Sequence, residues 1–407
     1  MADNNKNKVL NVPHLRFPEF TDEWKESVLS DFVERVKRKN KNNLCKLPLT
    51  ISAQYGLVDQ ISFFNKVIAS ENMSNYYLLH KGDFAYNKSY SSEYPWGAIK
   101  RLDCYEQGTL SSLYICFKPY SHVSSDFLTH YFETSKWHQG ISEIAVEGAR
   151  NHGLLNVGIQ DFFETRHCLP QSLLEQEKIA KFLNLIEERI ATQNKIIEKY
   201  ESLIQAIIYQ KKTDGMRVKS WQKTELSKVL QERNEKNIDG YVVCSVSVSQ
   251  GVVNQMEYLG RSFAAKETTH YNVVKYGDII YTKSPTGDFP YGIVKRSCIK
   301  KSVAVSPLYG VYKPICDSIG VILHFYFMQP SNAFNYLHPL IQKGAKNTIN
   351  ITNERFLKNS IPLPKAENEA IYIANTLISI QKKIDMEKKM LRSYEKEKQY
   401  LLSKMFI

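Results

Sequence analysis

EYPWGAIKR (residues 93–101) and DFPYGIVKR (residues 288–296) are nearly the same phrase, and one chain of 407 residues contains both. The likeness extends outward from this phrase. HKGDFAYNKS (residues 80–89) corresponds to KYGDIIYTKS (residues 275–284) at the same spacing, about 195 residues. Because the corresponding segments follow one another in the same order, the sequence predicts a tandem duplication, and this duplication decides the fold.

Each copy divides into two parts by its residue pattern. The first part has short β-branched and aromatic runs between Gly, Pro, Asn and Ser, which is typical of short strands and turns. The second part begins after a proline and, in the first copy, contains neither Gly nor Pro before Gly215, which predicts a long helix. The predicted fold is α+β: two pseudo-repeated mixed α/β domains (15–170 and 217–364) and two long helices (171–212 and 365–407) that form an antiparallel coiled coil.

Apolar residues in both helical parts recur in alternating steps of four and three, which is the spacing of a coiled-coil seam. A single amphipathic helix lying on its own domain is the alternative, but it would have a broader apolar stripe. The predicted seam consists of Ile179, Leu183, Ile186, Ile190, Ile197 and Ile204 in the first helix and of Ile373, Leu377, Ile380, Ile384 and Leu391 in the second.

The connection between the copies predicts how the helices run. Only KKTDGMR (residues 211–217) separates the first helix from the second domain, so the second helix must run back along the first. We therefore expect a domain at each end and an approximate two-fold axis. At 1.5 Å per residue the first seam is roughly 42 Å long, close to the roughly 34–36 Å between half-sites on duplex DNA.

The composition indicates the kind of partner and the cellular compartment to expect. A net charge of +12, from 54 Lys+Arg against 42 Asp+Glu, favours an anionic partner, although a solvated basic surface would have the same composition. No apolar run reaches the roughly 20 residues that span a bilayer, and the N-terminus resembles no secretory signal, so we expect a cytoplasmic protein without membrane contact. The seven cysteines have no spacing typical of a zinc site or a disulfide framework.

These features resemble one known family, the specificity (S) subunits of type I restriction-modification systems. The resemblance rests on the duplicated domain–helix unit, on GDFAYNKS, YPWGAIKR and EGARNHGLLNV, and on LPQSLLEQEKIAKFLNLIEERI, which opens the first helix. It covers residues 15–407. The second copy departs from it, since ENEAIYIA stands where the first copy has EQEKIA.

The resemblance implies that each domain is a target-recognition domain that reads one half of an asymmetric, split DNA sequence. It also implies a scaffold for two methyltransferase subunits, which use S-adenosylmethionine, and for restriction subunits, which use ATP and Mg2+. Such a subunit is no enzyme, and we predict neither a catalytic residue nor a metal or cofactor site in this chain, which has no P-loop and no Rossmann-type glycine motif. A coiled-coil adaptor with two protein-binding heads remains an alternative, as does a self-sufficient nuclease.

Positions shared by both copies are candidates for contacts to phosphates, because both heads would grip the same polyanion. A solvated loop residue or a turn-stabilising Asn is the alternative in each case. The phosphate candidates are Lys88, Ser89, Lys100 and Arg101 in the first copy and Lys283, Ser284, Lys295 and Arg296 in the second. A second shared set of candidate DNA contacts is Arg150 and Asn151 with Lys346 and Asn347, because Arg suits bidentate contacts to guanine and Asn to adenine, and the preceding Gly148 and Gly344 allow a close approach to the duplex.

Loops that differ within this shared frame are candidates for reading bases. The two loops are YSSEY (residues 90–94) and PTGDF (residues 285–289), with Tyr90, Ser92 and Thr286 as the candidate side chains. His152 occurs in one copy only and either has the same role or none.

Overall fold

The structure is a computed structural model, which describes residues 11–66, 68–91, 93–145, 153–260, 267–343 and 349–407. The chain forms two compact units. Unit 1 comprises Met1–Thr192 with Leu391–Ile407, and unit 2 comprises Gln193–Met390. In each unit we call the part outside the two long helices the head.

Head 1 contains short strands and short helices. Its strands are β1 (Lys25–Val28), β2 (Val33–Arg35), β3 (Leu49–Ser52), β4 (Gly56–Asp59), β5 (Tyr77–His80), β6 (Phe84–Asn87), β7 (Ala98–Arg101), β8 (Gln107–Leu110), β9 (Ile115–Pro119) and β10 (Arg166–Leu169). Its helices are α1 (Gln60–Phe64), α2 (Ser125–Tyr131), α3 (His138–Ile144) and α4 (Ile159–Phe163), with 3-10 turns at Leu29–Asp31 and Lys41–Asn43.

The first long helix, α5 (Leu173–Arg217), then leads to head 2. The strands of head 2 are β11 (Trp221–Glu225), β12 (Leu230–Glu232), β13 (Cys244–Ser247), β14 (Gly251–Asn254), β15 (Asn272–Val274), β16 (Ile279–Tyr281), β17 (Val294–Arg296), β18 (Val303–Val305), β19 (Gly310–Pro314), β20 (Gln342–Lys343), β21 (Ile349–Asn350) and β22 (Ser360–Pro364). Its helices are α6 (Gln255–Leu259), α7 (Asp317–Phe327), α8 (Pro330–Leu337) and α9 (Asn353–Lys358), with 3-10 turns at Leu226–Lys228 and His338–Leu340, and the second long helix, α10 (Glu367–Lys404), follows.

The two heads have the same sheet topology. Head 1 has a four-stranded antiparallel sheet in the order β2-β9-β6-β7, and head 2 has the equivalent order β12-β19-β16-β17. The cores also correspond, since Tyr86 stacks on Phe162 at 4.9 Å between ring centroids and Tyr281 stacks on Phe356 at 4.8 Å. The predicted α+β class and internal repeat are confirmed.

A carboxylate near the start of each long helix ties that helix to its head. The Trp24 indole N–H donates to Glu175 Oε1 at 3.1 Å, and the Arg16 guanidinium donates to both oxygens of the same carboxylate at 2.7 and 2.8 Å. In head 2 the Trp221 indole N–H donates to Glu369 at 2.7 Å. Because Glu175 is buried, these charge-assisted bonds offset the cost of removing its charge from water.

In unit 1 the beginning of α5 packs antiparallel against the end of α10. The Arg189 guanidinium lies 5.3 Å from the Tyr394 ring and donates to its hydroxyl at 3.2 and 3.1 Å. Lys398 Nζ lies 2.6 Å from Glu187 Oε1. The packing of the two long helices predicted from the sequence is confirmed in this unit.

Unit 2 repeats this arrangement with the other halves of the two helices. Lys383, which corresponds to Arg189, lies 5.9 Å from the ring of Tyr200, which corresponds to Tyr394. The Gln193 side-chain amide, 3% exposed, donates to the carboxylate of Glu387. A buried polar side chain of this kind fixes the register of a helix pair, because any shift would leave the Gln193 amide in the interior without its partner.

The residues of the predicted seam differ in burial. Ile186, Ile190, Ile380 and Leu391 are half-buried, and the other seven are buried: Ile179, Leu183, Ile197, Ile204, Ile373, Leu377 and Ile384.

Helix α5 extends five residues beyond its predicted end at residue 212 and includes Gly215. A Cβ at Gly215 would lie 2.1 Å from Cδ1 of Trp221, so the missing side chain admits the indole ring against the helix. Gly215 therefore allows the Trp221 ring to pack closely against the helix, although the sequence suggested that this glycine ends the helix.

The compact units differ from the repeats of the sequence. The core of head 1 includes Leu401, Leu402, Met405 and Phe406 from the far end of the chain. Phe406 is 1% exposed, and its ring centroid lies 5.3 Å from that of Phe127. Head 1 is thus completed by residues that follow the whole of unit 2 in the sequence.

We expect Phe406→Ala to lower the free energy of unfolding by about 3–5 kcal/mol, because it removes a buried aromatic ring and leaves a cavity. Tyr400→Ala is the control, since Tyr400 lies in the last turns of α10, just before Phe406, and is 58% exposed. Urea denaturation, followed by tryptophan fluorescence, measures both variants. Equal losses in the two would contradict a core role for Phe406.

Candidate nucleic-acid interface

The repeated phrase is a framework that supports the loop before it. In head 1 the Tyr86 hydroxyl donates to the carbonyl of Trp96 at 2.9 Å, and in head 2 the Tyr281 hydroxyl donates to Tyr291 at 2.8 Å. Gly97 has a left-handed φ of 78°, and a Cβ there would lie 2.1 Å from the Asn87 carbonyl oxygen. The phrase therefore closes the base of the loop in both heads.

Lys88, Ser89 and Tyr90 follow strand β6 at the base of this loop in head 1. The Tyr90 N–H donates to Gly153 O at 3.1 Å, and Lys88 O accepts from Leu155 N at 2.9 Å. Ser89 and Tyr90 are exposed, and Lys88 is half-buried with its ammonium 3.4 Å from the Val157 carbonyl. The backbone of this segment is thus held by hydrogen bonds to Gly153 and Leu155, while the side chains of Ser89 and Tyr90 lie at the surface.

In head 2 the corresponding residues are arranged differently. Lys283 has a left-handed φ of 61° and is half-buried, and burial lowers the pKa of its ammonium. Ser284 and Thr286 are exposed, and Thr286 closes a tight turn in which its N–H donates to Phe289 O at 3.0 Å. The backbone of the two loops is nevertheless closed in the same way, since Ser91 and Tyr94 of head 1 exchange two backbone hydrogen bonds at 3.1 and 3.2 Å, as Thr286 and Phe289 do in head 2. The loops therefore share a base and a turn and differ in their side chains.

Six of the predicted DNA contacts lie outside the described residues, and for these the prediction stands as made. They are Ser92, Arg150, Asn151, His152, Lys346 and Asn347.

Lys100 and Arg101, at the end of the phrase in head 1, are engaged in ion pairs. Lys100 pairs with Glu133, and its side chain is 13% exposed. Arg101 lies 2.6 Å from both Asp103 and Asp126. Because their charges are already satisfied within the head, both residues have little left to offer a phosphate.

Lys295 and Arg296 are still more deeply buried, at 4% and 6% exposure. Arg296 pairs with Asp317, and its guanidinium lies 4.7 Å from the Tyr276 ring. The expectation that one of these adjacent cations faces outward is not met in head 2, because both side chains are buried where helix α7 packs against strand β17. Lys100, Arg101, Lys295 and Arg296 are therefore not available for a DNA interface in this arrangement.

Lys295 has lost the carboxylate that its counterpart has. Met328 stands at the position of Glu133, and burial lowers the pKa of Lys295 to about 8. Burial also lowers the pKa of the neighbouring His324 to about 3, with Lys295 and Arg296 adding to the shift. The neutral His324 ring accepts a hydrogen bond at Nδ1 from the Arg296 backbone N–H at 3.1 Å.

A run of cations in head 1 lies outside the contacts predicted from the sequence. Residues 35–46, RVKRKNKNNLCK, contain six Lys or Arg and no Asp or Glu. Lys37, Lys41 and Lys46 are exposed. A charge run of this kind is a recognised signal for nucleic-acid contact, but the comparison of shared positions overlooked it because head 2 does not repeat it.

Among the residues that the structure describes there is no cluster of three or more His, Cys, Asp or Glu that could hold a metal ion. Among the same residues no helix is long and apolar enough to cross a membrane.

Comparisons with known proteins show the fold. Neither a protein-family model nor a curated protein matches this sequence. The solved type I restriction-modification S subunit from M. genitalium matches 97% of this chain and 99% of its own, at 13% identity and a TM-score of 0.56. The two chains therefore share one fold over almost their whole lengths.

Two further solved structures are similar at lower scores. One is described as the structural basis of complex assembly and conformational transition of the type I R-M system, and it matches 94% of this chain and 97% of its own at 14% identity, with a TM-score of 0.48. The other is the HsdS subunit from Thermoanaerobacter tengcongensis, which matches 94% of this chain and 96% of its own at 16% identity, with a TM-score of 0.39.

We expect Lys295→Met to stabilise the protein at pH 7 by about 1–3 kcal/mol, because it removes a buried ammonium without an acidic partner. Between pH 8 and 10.5 the folded protein releases this proton while the unfolded chain still holds it. The stability of the wild type therefore rises with pH in this range, and the advantage of the variant shrinks.

Lys100→Met is the matched control, because Lys100 has an acidic partner and its loss should lower stability by about 1 kcal/mol or less. Urea denaturation at pH 7, 8, 9 and 10 measures both variants. A Lys295→Met protein that is less stable than the wild type at pH 7 would contradict the assignment.

Proposed function

We propose that this chain is the DNA sequence-specificity subunit of a type I restriction-modification complex. One observation carries the proposal: two heads of the same topology have the same framework beneath loops of different sequence, in a chain that shares its fold with a solved S subunit over 97% of its length. Two similar supports with unlike loops are what a reader of two unlike half-sites requires.

In this proposal each head reads one half of an asymmetric, bipartite target. Cations near the base of the loops contact the phosphates of the DNA backbone. The loops at residues 90–94 and 285–289 contact the base edges. The helix pair spaces the heads, so the unspecified gap in the target follows from helix length. The high net charge of +12 supports a polyanionic partner.

The chain would have no catalytic role of its own. It would scaffold two methyltransferase subunits, which bind S-adenosylmethionine, and restriction subunits, which bind ATP and Mg2+. The cofactors of the complex would then lie on those partners, and we expect the complex to act in the cytoplasm.

Salt dependence separates this proposal from a protein-binding adaptor. Binding through phosphates releases counterions, so affinity for a duplex should fall steeply between about 50 and 200 mM salt. An adaptor with apolar interfaces would be nearly insensitive over this range. A self-sufficient nuclease would cut DNA with Mg2+ alone.

Methylation mapping in a host that expresses this chain with its partner subunits tests the proposal directly. We expect a two-part motif with a gap of fixed length, because two heads on one spacer contact two separate sites. The host without this chain is the control and should lack the motif. A continuous motif, or none, would refute the bipartite reading.

Lengthening the spacer tests its role. Insertion of one heptad into α5 and one into α10 preserves the seam and adds about 10 Å of helix, so the gap should widen by about three base pairs. Substitution of one surface heptad by another of equal length is the control. An unchanged gap in the lengthened protein would show that the helices do not set the spacing.

A further inference from the structure

The loop after the first strand of the central sheet is strongly basic in head 1 and acidic in head 2. Residues 35–46 of head 1 contain six cations and no acid, a net charge of +6. The corresponding residues 232–242 contain two cations, Arg233 and Lys236, and three acids, Glu232, Glu235 and Asp239, so their net charge is 2 − 3 = −1. The difference is large for two loops on one framework.

Both loops are held by the same buried clamp. In head 1 the Asn40 side chain accepts from Cys45 N at 2.9 Å and donates to Cys45 O at 2.9 Å. In head 2 the Asn237 side chain accepts from Tyr241 N at 2.7 Å and donates to its carbonyl at 3.2 Å. Since Asn40 and Asn237 are 1% and 0% exposed, the clamp fixes each loop from within and leaves its charged residues outside.

The tips of the loops also correspond in backbone. Asn43 has a left-handed φ of 54°, and Gly240 at the equivalent position has a φ of 70°. The head 1 loop is one residue longer between its clamp residues, and Asn42 beside Asn43 is also left-handed, with a φ of 59°. The two loops thus reverse direction near the same point on similar clamps, and their largest difference is in charge.

The cations of the head 1 loop fall into two groups. Arg35 donates to the Tyr77 hydroxyl at 3.5 Å, and Arg38 pairs with the buried Asp83. Lys39 donates to Asn75 O at 2.9 Å and lies 3.7 Å from the Tyr77 ring. These three residues hold the loop to the head.

The second group is Lys37, Lys41 and Lys46, which we call the lysine triad. All three are exposed, and none of their ammonium groups has an ion-pair or hydrogen-bond partner among the residues that the structure describes. Three such ammonium groups on a clamped loop form a surface that attracts anions, because no internal carboxylate neutralises them.

The head 2 loop neutralises its own cations. Arg233 lies 2.6 Å from Asp278 and 3.3 Å from Glu235, and Lys275 lies 2.8 Å from Glu235. The hydrogen bond from Lys275 lowers the pKa of Glu235, so this carboxylate stays charged at neutral pH. At the positions of the triad, head 2 has Asn234, Ile238 and, at the end of the loop, Val242.

We propose that the lysine triad is a phosphate-binding site for duplex DNA that head 1 has and head 2 lacks. This inference rests on the proposed function. Phosphate contacts carry no sequence information, so the triad gives head 1 an affinity for any duplex. Head 1 anchors the protein on DNA, and head 2 engages through its base contacts once a matching half-site is in reach.

The test compares salt dependence in the full chain. The probe is a 40-base-pair duplex of arbitrary sequence, and the dissociation constant is measured by fluorescence anisotropy between 50 and 300 mM KCl. The loss variant is Lys37→Gln with Lys41→Gln and Lys46→Gln. The control variant changes the net charge equally through Lys195→Gln, Lys199→Gln and Lys382→Gln, which are exposed on the long helices.

The expected result follows from counterion release. Each phosphate contact contributes about 0.9 to the slope of log K against log salt, so the loss variant should reduce the slope by up to about 2.7 and weaken binding roughly tenfold or more at 0.1 M salt. The control should keep the slope of the wild type. Unchanged urea midpoints in both variants show that folding is intact.

A gain variant tests the correspondence of the loops. Asn234→Lys with Ile238→Lys and Val242→Lys places a triad on the head 2 loop, where Ile238 is 81% exposed and Val242 is 57% exposed. The slope should then become steeper than in the wild type. An unchanged slope would overturn the claim that three exposed lysines on this clamped loop are enough to bind phosphates.

The outcomes distinguish this inference from the function on which it rests. A steep slope in the wild type with equal slopes in the loss and control variants would overturn the triad and leave the proposed function standing. A wild type that does not bind the duplex at any salt concentration would overturn both.

Discussion

A carboxylate close to the start of each long helix sets how that helix leaves its head. Glu175 is buried and satisfied by an indole N–H and a guanidinium, and Glu369 accepts the equivalent indole N–H. Removing such a carboxylate, or turning the helix away from its tryptophan, would leave an uncompensated charge or donor in the interior. The direction of the helix is therefore specified at its first turns, and the contacts further along it, such as those of Arg189 and Gln193, add register to that direction.

The features that could be predicted from the sequence were those given by a local residue pattern or by the internal repeat. The duplication, the α+β heads and the long helices follow from local pattern and order. The end of α5 was placed too early because Gly215 was judged by its local tendency, whereas Trp221 packs against it. The compact units were not foreseen either, since no local signal joins Phe406 to Phe127, which lie at opposite parts of the chain.

The candidate interface shows the same division. Several of the positions that the two copies share stabilise the heads themselves. Lys100 pairs with Glu133, and Lys295 is buried beneath α7. The local sequence does not encode which helix packs against a strand. The burial of Lys295 could therefore not be predicted from the Lys-Arg pair at the end of that strand. The lysine triad was visible as a charge run, but a search for what the two copies share discards what only one has. In a duplicated protein the unshared residues deserve equal weight, because a common scaffold turns their difference into a difference in function.

The route by which head 1 closes its core bears on how the protein is made. Unit 2 is one continuous stretch, whereas unit 1 needs residues 391–407, which the ribosome adds after all of unit 2. At roughly 5–20 residues per second, the partly built head 1 waits on the order of ten seconds or more with the binding surface for Met405 and Phe406 uncovered. The second head can thus mature before the first, and the interval is a window in which a chaperone or a neighbouring nascent chain could occupy that apolar surface.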